Sequence, residues 1–487
     1  MPAILHIAAF ISEKVCNPVS YLESSGAVNG TGIIHWSRRP ILVLAVALLL
    51  VNFSAFTGRV EAQDALPAVL ETVEPQVLVA ENSASIASET FEAPLPVSAN
   101  PPANDTVVDV SQVDSGIPRR FHYQFRLNVH SVYDDNINIS QSQSDSDFYT
   151  AIEPSIMLGF GDFTSREGNF IRLNYLASVF LFVDHSENDA LQHVFQLEGQ
   201  YQLNRLTLNL TQSIQILDGT DVRSLDSAGN FGQQVNLDVA GRTRFNIYTT
   251  HVSAAYYLTG KTFLSVGGDY TDSDYHSLIS SDTISGNLFL NYNYGPKMVV
   301  GLGGTAGWNR VDAPTPDQTF EQANVRVSYQ VTGKIDVRAS AGIEFRNFEG
   351  QGRDQYVSPV FDFGLNYLPF DGTTFSLAAT RHLLNSAVLA GQDFATTSFT
   401  VSASQRLVDR ISVAGSVGYE NSDYFSAIAG GISNRTDNYF FIEPSIAVRV
   451  TRFWTVGAYY LHRANDSSFN AFSFHDNQVG VRTSLTF

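Results

Sequence analysis

The chain of 487 residues holds one cysteine, three methionines and three tryptophans, and only 16% of it is Asp, Glu, Lys or Arg. Ordinary soluble domains carry about 25% charge. A single cysteine, Cys16, excludes an internal disulfide or a thiolate metal cluster. No run of 18 apolar residues exists, which excludes a protein that spans a membrane with helices. Basic residues are scarce, 29 against 48 acidic, for a net charge of −19. Such a chain repels phosphate backbones, so no nucleic-acid partner is expected. Catalytic motifs are missing too. There is no Walker-type loop, no GxSxG elbow and no HExxH pair. The glycine-rich stretch at 301–307 lacks the strand-to-helix setting of a phosphate cradle. The expectation is that the chain is not an enzyme and takes no cofactor and no metal ion. What is plentiful is Phe (34), Gly (35) and Tyr (21), a composition that fits a large β protein.

Three zones follow one another. In residues 1–62 an 11-residue apolar run, 41–51, follows Arg38 and Arg39 and precedes the small-residue exit Val60-Glu61-Ala62. Basic flank, short apolar core and small-residue exit make an N-terminal extension with an export signal. Residues 63–118 contain nine Asp or Glu, no Lys or Arg, and seven of the 17 prolines. That segment cannot bury enough apolar surface to offset its ordering entropy, so a disordered acidic linker is expected. Residues 119–487 change period.

From there apolar and polar residues alternate, the signature of a two-faced strand. Val479, Val481, Thr483, Leu485 and Phe487 oppose Gln478, Gly480, Arg482, Ser484 and Thr486. Ile335, Val337, Ala339, Ala341, Ile343 and Phe345 oppose Asp336, Arg338, Ser340, Gly342, Glu344 and Arg346. Short turns recur near positions 260, 296, 333, 371, 409 and 452, with one longer polar loop between each pair, such as 271–281, 310–318 and 349–354. Each period is therefore a hairpin of two strands long enough to cross a bilayer at a tilt. The count is about 18 strands, with 16 as the lower bound. The expected fold is all-β: a transmembrane antiparallel up-and-down β-barrel.

A soluble sandwich would alternate in the same way, so a secreted β-rich adhesin is the rival reading. Constant hairpin spacing favours the membrane. So do aromatics beside the turns, where an interfacial girdle belongs: Tyr257 and Phe263, Tyr294, Tyr367, Phe370 and Phe375, Phe453 and Trp454. Asp147–Ile156 repeats as Asp437–Ile446, each with Glu-Pro-Ser-Ile, and Pro154, Pro444 and Pro359 are expected to mark bulges or irregular pairing. The repeat reads either as two equivalent sites built on Glu153 and Glu443 or as a duplicated hairpin; duplication is favoured. Acidic loop stretches such as Asp134-Asp135 read as solvated loops rather than calcium loops.

An amphipathic last strand ending in Phe487 resembles the assembly signal of Gram-negative outer-membrane proteins, carried here by Val479, Val481, Leu485 and Phe487. Tyr133-Asp134-Asp135-Asn136-Ile137 and the turn Tyr257-Leu258-Thr259-Gly260-Lys261 resemble stretches of β-barrel porin family 2, over roughly 121–487. That resemblance implies an outer-membrane location and a porin-like channel for small hydrophilic solutes or for an exported polysaccharide. Its alternative is a plugged structural or assembly barrel of a polysaccharide secretion system. Implied partners are outer-membrane lipid and lipopolysaccharide, the barrel assembly machinery and periplasmic chaperones, and exopolysaccharide export components. By period alone Arg126, Glu153, Glu198, Arg326, Asp336, Arg338, Glu344, Arg346, Glu443, Arg449 and Arg482 are assigned to the lumen, where charge is tolerated and tunes selectivity.

Overall fold

The computed structural model describes residues 121–142, 144–161, 168–225, 231–350, 353–431 and 435–487. The expected export signal and the whole of the acidic segment lie outside the described residues, as do Arg119 and Arg120.

Twenty strands follow in order: β1 Phe121–Asp134, β2 Asp147–Gly161, β3 Phe170–Phe182, β4 Ala190–Gln202, β5 Leu206–Gly219, β6 Asp221–Leu225, β7 Phe231–Val235, β8 Thr243–Tyr257, β9 Thr262–Tyr275, β10 Ser281–Gly295, β11 Met298–Val311, β12 Gln318–Thr332, β13 Ile335–Phe348, β14 Tyr356–Tyr367, β15 Thr373–Asn385, β16 Gln392–Val408, β17 Ile411–Ser426, β18 Thr436–Thr451, β19 Trp454–Ser467 and β20 Phe474–Thr486. Eighteen of them form one antiparallel sheet, each paired with its neighbour in sequence apart from the step β5 to β8. The sheet closes where β1 meets β20, with Arg126 opposite Thr486 and Asp134 opposite Gln478. β6 and β7 form a separate hairpin inside the β5–β8 connection.

Closure removes every sheet edge, so all backbone groups of the wall can be paired without water. Period-2 geometry then sorts the side chains. On β10, Ile284, Leu288, Leu290, Tyr292 and Tyr294 are exposed on the outside, while Phe289 and Asn291 are buried on the inside. On β18, Phe440, Ile442, Ile446, Val448 and Val450 face out, while Asp437, Tyr439, Phe441 and Glu443 are buried within. Above the apolar band the outer face turns polar, with ion pairs Arg244–Asp218 at 2.8 Å and Arg310–Asp282 at 3.5 Å.

Four register shifts fall at short turns, after Asn293, Gln330, Arg406 and Arg449. Bulges there let two or three residues reverse the chain against strand twist. The prolines interrupt pairing without shifting it. β2 pairs β3 at Ile152–Val179 and resumes at Ser155–Leu176, in the same register across Pro154. β18 skips Glu443 and Pro444 against β19 in the same way. Of the bulges or irregular pairing expected at the prolines, the ladder shows the second: gaps in a regular register. β14 pairs β15 only from Phe361 onward, just past Pro359.

Two sequence expectations need correction. The long loops are shorter than 271–281 and 310–318, because β9 runs through Asp272 and Asp274 to Tyr275 and β11 runs to Val311. Strands that rise above the bilayer keep their ladder while both faces become polar, so hydropathy ends before the strand does. Tyr257 and Phe263 are not on the outer girdle. Phe263 is buried on the inner face, paired with Tyr257 at a ring separation of 5.1 Å, and Tyr256 takes the outward place. Tyr257 and Phe263 are directly opposite partners at inward positions of their strands, so nearness to a turn sets their depth while parity sets their face.

Candidate functional site

The interior of the barrel is the candidate site. All eleven sequence-assigned charges sit at inward positions of the alternation. Arg126, Glu153, Glu198, Arg326, Glu344, Arg346 and Glu443 are buried against the wall, whereas Asp336, Arg338, Arg449 and Arg482 near the short-turn end are more open.

Their partners differ, and this decides what each can do. Glu153 accepts from Ser178 Oγ at 2.9 Å and lies 3.1 Å from His130 Nε2. Glu443 faces Tyr459, which also lies near Arg482 and Glu153. Glu198 pairs with Arg172 at 2.7 Å. Arg326 lies flat against the wall, 4.0 Å from the Phe289 ring, donating from Nε to Asn291 Oδ1 at 2.9 Å and from Nη2 to Ser265 Oγ at 2.6 Å. Arg338 Nε is 3.3 Å from Asp336, and Arg449 Nη2 donates to the Asp409 carbonyl at 2.7 Å. Arg482 sits over the Tyr459 ring.

Arg346 has four partners. It donates to Glu344 at 2.8 Å, to Gln318 Oε1 and Asp393 Oδ2 at 3.2 Å each, and from Nη2 to the Leu383 carbonyl at 3.0 Å. Leu383 belongs to the part of β15 left without β14 as a ladder partner above Phe361. The guanidinium thus satisfies a wall carbonyl that would otherwise be orphaned.

Glycines keep such side chains against the wall. A Cβ on Gly303 would fall 2.1 Å from the Leu288 carbonyl oxygen and 2.5 Å from the Phe289 ring. A Cβ on Gly480 would fall 2.4 Å from the Tyr459 ring. Both rings therefore lie down over bare backbone instead of standing into the bore.

Sequence reasoning missed the largest feature of the interior, the β5–β8 connection. Asn236 donates to the Tyr275 hydroxyl at 3.1 Å on β9. Two residues later Asp238 reaches the far wall. It accepts from Ser386 Oγ at 2.7 Å, Ala387 N at 2.6 Å and the Tyr424 hydroxyl at 3.0 Å. Arg435 donates to the carbonyls of Leu237 at 2.9 Å and Asp238 at 3.1 Å, and to Asp437 at 2.6 Å. β17, which carries Tyr424, is nine places from β8 in a ring of eighteen strands, so this segment links opposite sides of the loop-side mouth. Val235 and Leu237 pack there with Ile139, Tyr439, Phe441 and Phe474, and Val222 packs with Leu176, Val194, Leu217 and Phe245 near its start. The loop-side part of the interior therefore holds apolar clusters among its charged groups, contrary to a wholly hydrophilic bore. Burying two such side chains stabilises the crossing by about 3–6 kcal/mol. Burial raises the Asp238 carboxyl above the ordinary carboxylate range, against the opposing pull of Arg435 and the three hydrogen bonds. No local signal marks this segment for the interior, since its partners lie about 150 to 200 residues away.

The Tyr133–Ile137 stretch has a structural task. Asp134 accepts from Asn136 N and Gln478 Nε2, Asp135 accepts from Asn477 N and Nδ2 at 2.7 Å each, and Asn136 Nδ2 donates to the His475 carbonyl at 2.8 Å. These bonds tie the top of the first strand to the top of the last, where the barrel closes. Arg463 adds ion pairs to Asp476 and, at 3.0 Å, to Asp221 of β6. Asp134, Asp135 and Asp476 come close together. Their carboxylates are engaged by Asn, Gln, backbone N–H and Arg donors, and no metal site is assigned to them.

A closed antiparallel barrel of eighteen strands, apolar outside and largely polar within, is an outer-membrane β-barrel. No family model and no curated protein matches the chain. Solved structures from Pseudomonas aeruginosa overlap with it loosely. The structure of OpdK with vanillate has a TM-score of 0.40 and 11% identity, covering 75% of this chain and 99% of that one. OccK2 (OpdF) in complex with glucuronate has a TM-score of 0.42 and 10% identity, covering 75% and 98%. OpdO has a TM-score of 0.41 and 9% identity, covering 75% and 97%. The barrel assignment rests on the strand pairing of this chain.

Proposed function

We propose that the protein is a channel for small hydrophilic solutes whose loop-side mouth is narrowed by the crossing segment 236–242. The observation that supports this reading is the arrangement of the wall: charged and amide side chains folded flat along a continuous inner face from β8 to β13, with glycines beneath them. Residues Arg126, Glu153, Glu198, Arg326, Asp336, Arg338, Glu443, Arg449 and Arg482 would line the path, with mixed signs that predict weak ion selectivity. Glu344 and Arg346 would act chiefly as wall supports. The resemblance to β-barrel porin family 2 belongs to this proposal, as do lipopolysaccharide, the assembly machinery and periplasmic chaperones as surroundings and partners.

Planar-bilayer recording of the purified protein tests it. Discrete conductance steps are expected, with liposome swelling in small sugars. No conductance, either in the native protein or after the crossing segment is released by Arg435→Ala, would overturn the channel. A second reading, a plugged structural barrel, is favoured by the packed crossing segment itself. It predicts silence in the native protein and conductance only after release. An exported glycan needs a bore open along its length, and the same segment weighs against it.

A further inference from the structure

The two ends of the barrel carry opposite charge. Among the described residues, the loops at the long-loop end hold ten carboxylates, at positions 135, 145, 184, 187, 189, 238, 312, 317, 349 and 354. Arg242, Arg353 and Arg435 are their only basic residues. At the short-turn end, among the described residues, Arg205, Lys261, Lys297, Lys334, Arg410 and Arg452 are all exposed, against Asp371 and Asp409. Between position 63 and the C-terminus the chain has three lysines, and all three lie on short turns. On one side of this rim Arg406, Arg410 and Arg449 surround a shallow hollow with Asp409 as its one carboxylate.

β1 begins at this same end: Phe125 N donates to the C-terminal Phe487 carbonyl at 3.0 Å, and Phe121 lies opposite Phe160, beside the β2–β3 turn. The chain that enters there is the acidic segment. Its part nearest the barrel, 82–118, holds Glu89, Glu92, Asp105, Asp109 and Asp114 and no Lys or Arg.

We propose that residues 82–118 dock across the basic short-turn rim of their own barrel. Charge complementarity and the point of entry carry the inference. Reach permits it. Thirty-seven residues span about 33 Å as a random coil, and a barrel of eighteen strands is about 35 Å across. An exposed rim of this kind attracts the segment weakly through each charge and strongly through their number, and salt of about 1 M, with a Debye length of about 3 Å, dissolves the attraction.

Zero-length carbodiimide cross-linking of the chain from residue 63 to 487 tests this, because every lysine in it reports the rim. At low salt, amide links are expected from Glu89, Glu92, Asp105, Asp109 or Asp114 to Lys261, Lys297 or Lys334, falling at least fivefold in 1 M salt. Arg205→Gln, Arg410→Gln and Arg452→Gln together leave the lysines in place and are expected to lower the yield severalfold, with heat-modifiable migration confirming an intact barrel. Links from the lysines to barrel carboxylates such as Asp371 alone, or a yield indifferent to salt, would overturn the proposal and leave the rim to an external partner such as anionic phospholipid.

Discussion

Arg435 and Asp238, almost two hundred residues apart in sequence, meet across the mouth of the barrel. The Arg435 guanidinium donates to the Asp238 carbonyl at 3.1 Å, stands 3.7 Å from its carboxylate and lies 3.5 Å over the Phe472 ring. The pair holds the crossing segment to the wall opposite its origin. Removing one partner of a buried ion pair costs about 3–5 kcal/mol, because the other charge stays buried. Arg435→Ala should release the segment. Single-channel recording should then show larger and noisier conductance; an unchanged trace would mean that apolar packing and the Asp238 bonds to Ser386, Ala387 and Tyr424 hold the segment without Arg435.

Acid should not open this mouth. The Asp238 carboxyl is raised by burial, so the docked state binds its proton more readily than a released, solvated state does. Docking is therefore favoured as pH falls through the window between the raised value and the ordinary carboxylate value, and disfavoured as pH rises through it. Arg435, Tyr424 and Asp437 are the charged and titratable groups around it. Conductance measured from pH 7 down to about pH 4 should stay level or fall. A rise that Asp238→Asn abolishes would contradict this.

Arg346→Leu should weaken the wall rather than change selectivity. The substitution leaves Glu344 and Asp393 buried without their cation and orphans the Leu383 carbonyl, for a loss of about 3–5 kcal/mol. The gel temperature at which the compact form converts to the unfolded one should drop, while any reversal potential stays put.

Gly303→Ala tests whether bare backbone keeps the bore clear. The new methyl group collides with the Leu288 carbonyl and the Phe289 ring, so the ring must swing inward and Arg326 loses its stacking partner. The expected outcome is lower unitary conductance together with lower stability, by about 1–3 kcal/mol. Conductance equal to that of the native protein would place Phe289 away from the path.

Deleting Phe487 should slow assembly more than it alters the finished barrel. Its ring lies 6.3 Å from Phe125 and 6.0 Å from Phe453, and its N–H donates to the Phe125 carbonyl at 2.8 Å. Folding into vesicles, followed by heat-modifiable migration, should be severalfold slower, with the pore of the folded fraction unchanged.

Strand number, barrel closure and the inward parity of charges such as Glu153 and Glu443 were legible in the sequence alone. They depend on a local rule, that neighbouring residues on a strand face opposite ways, and on a hydrophobic band that must meet lipid. Nearness to a turn did not give the face of an aromatic, as Tyr257 and Phe263 show. Where strands left the bilayer, as at Asp272 and Asp274, polarity no longer marked their ends. Only the tertiary structure decided that Val235 and Leu237 pack inside the mouth, that Asp238 finds Arg435, and that Arg346 serves a carbonyl on β15. These are contacts across the barrel, and distance through the lumen has no period along the chain.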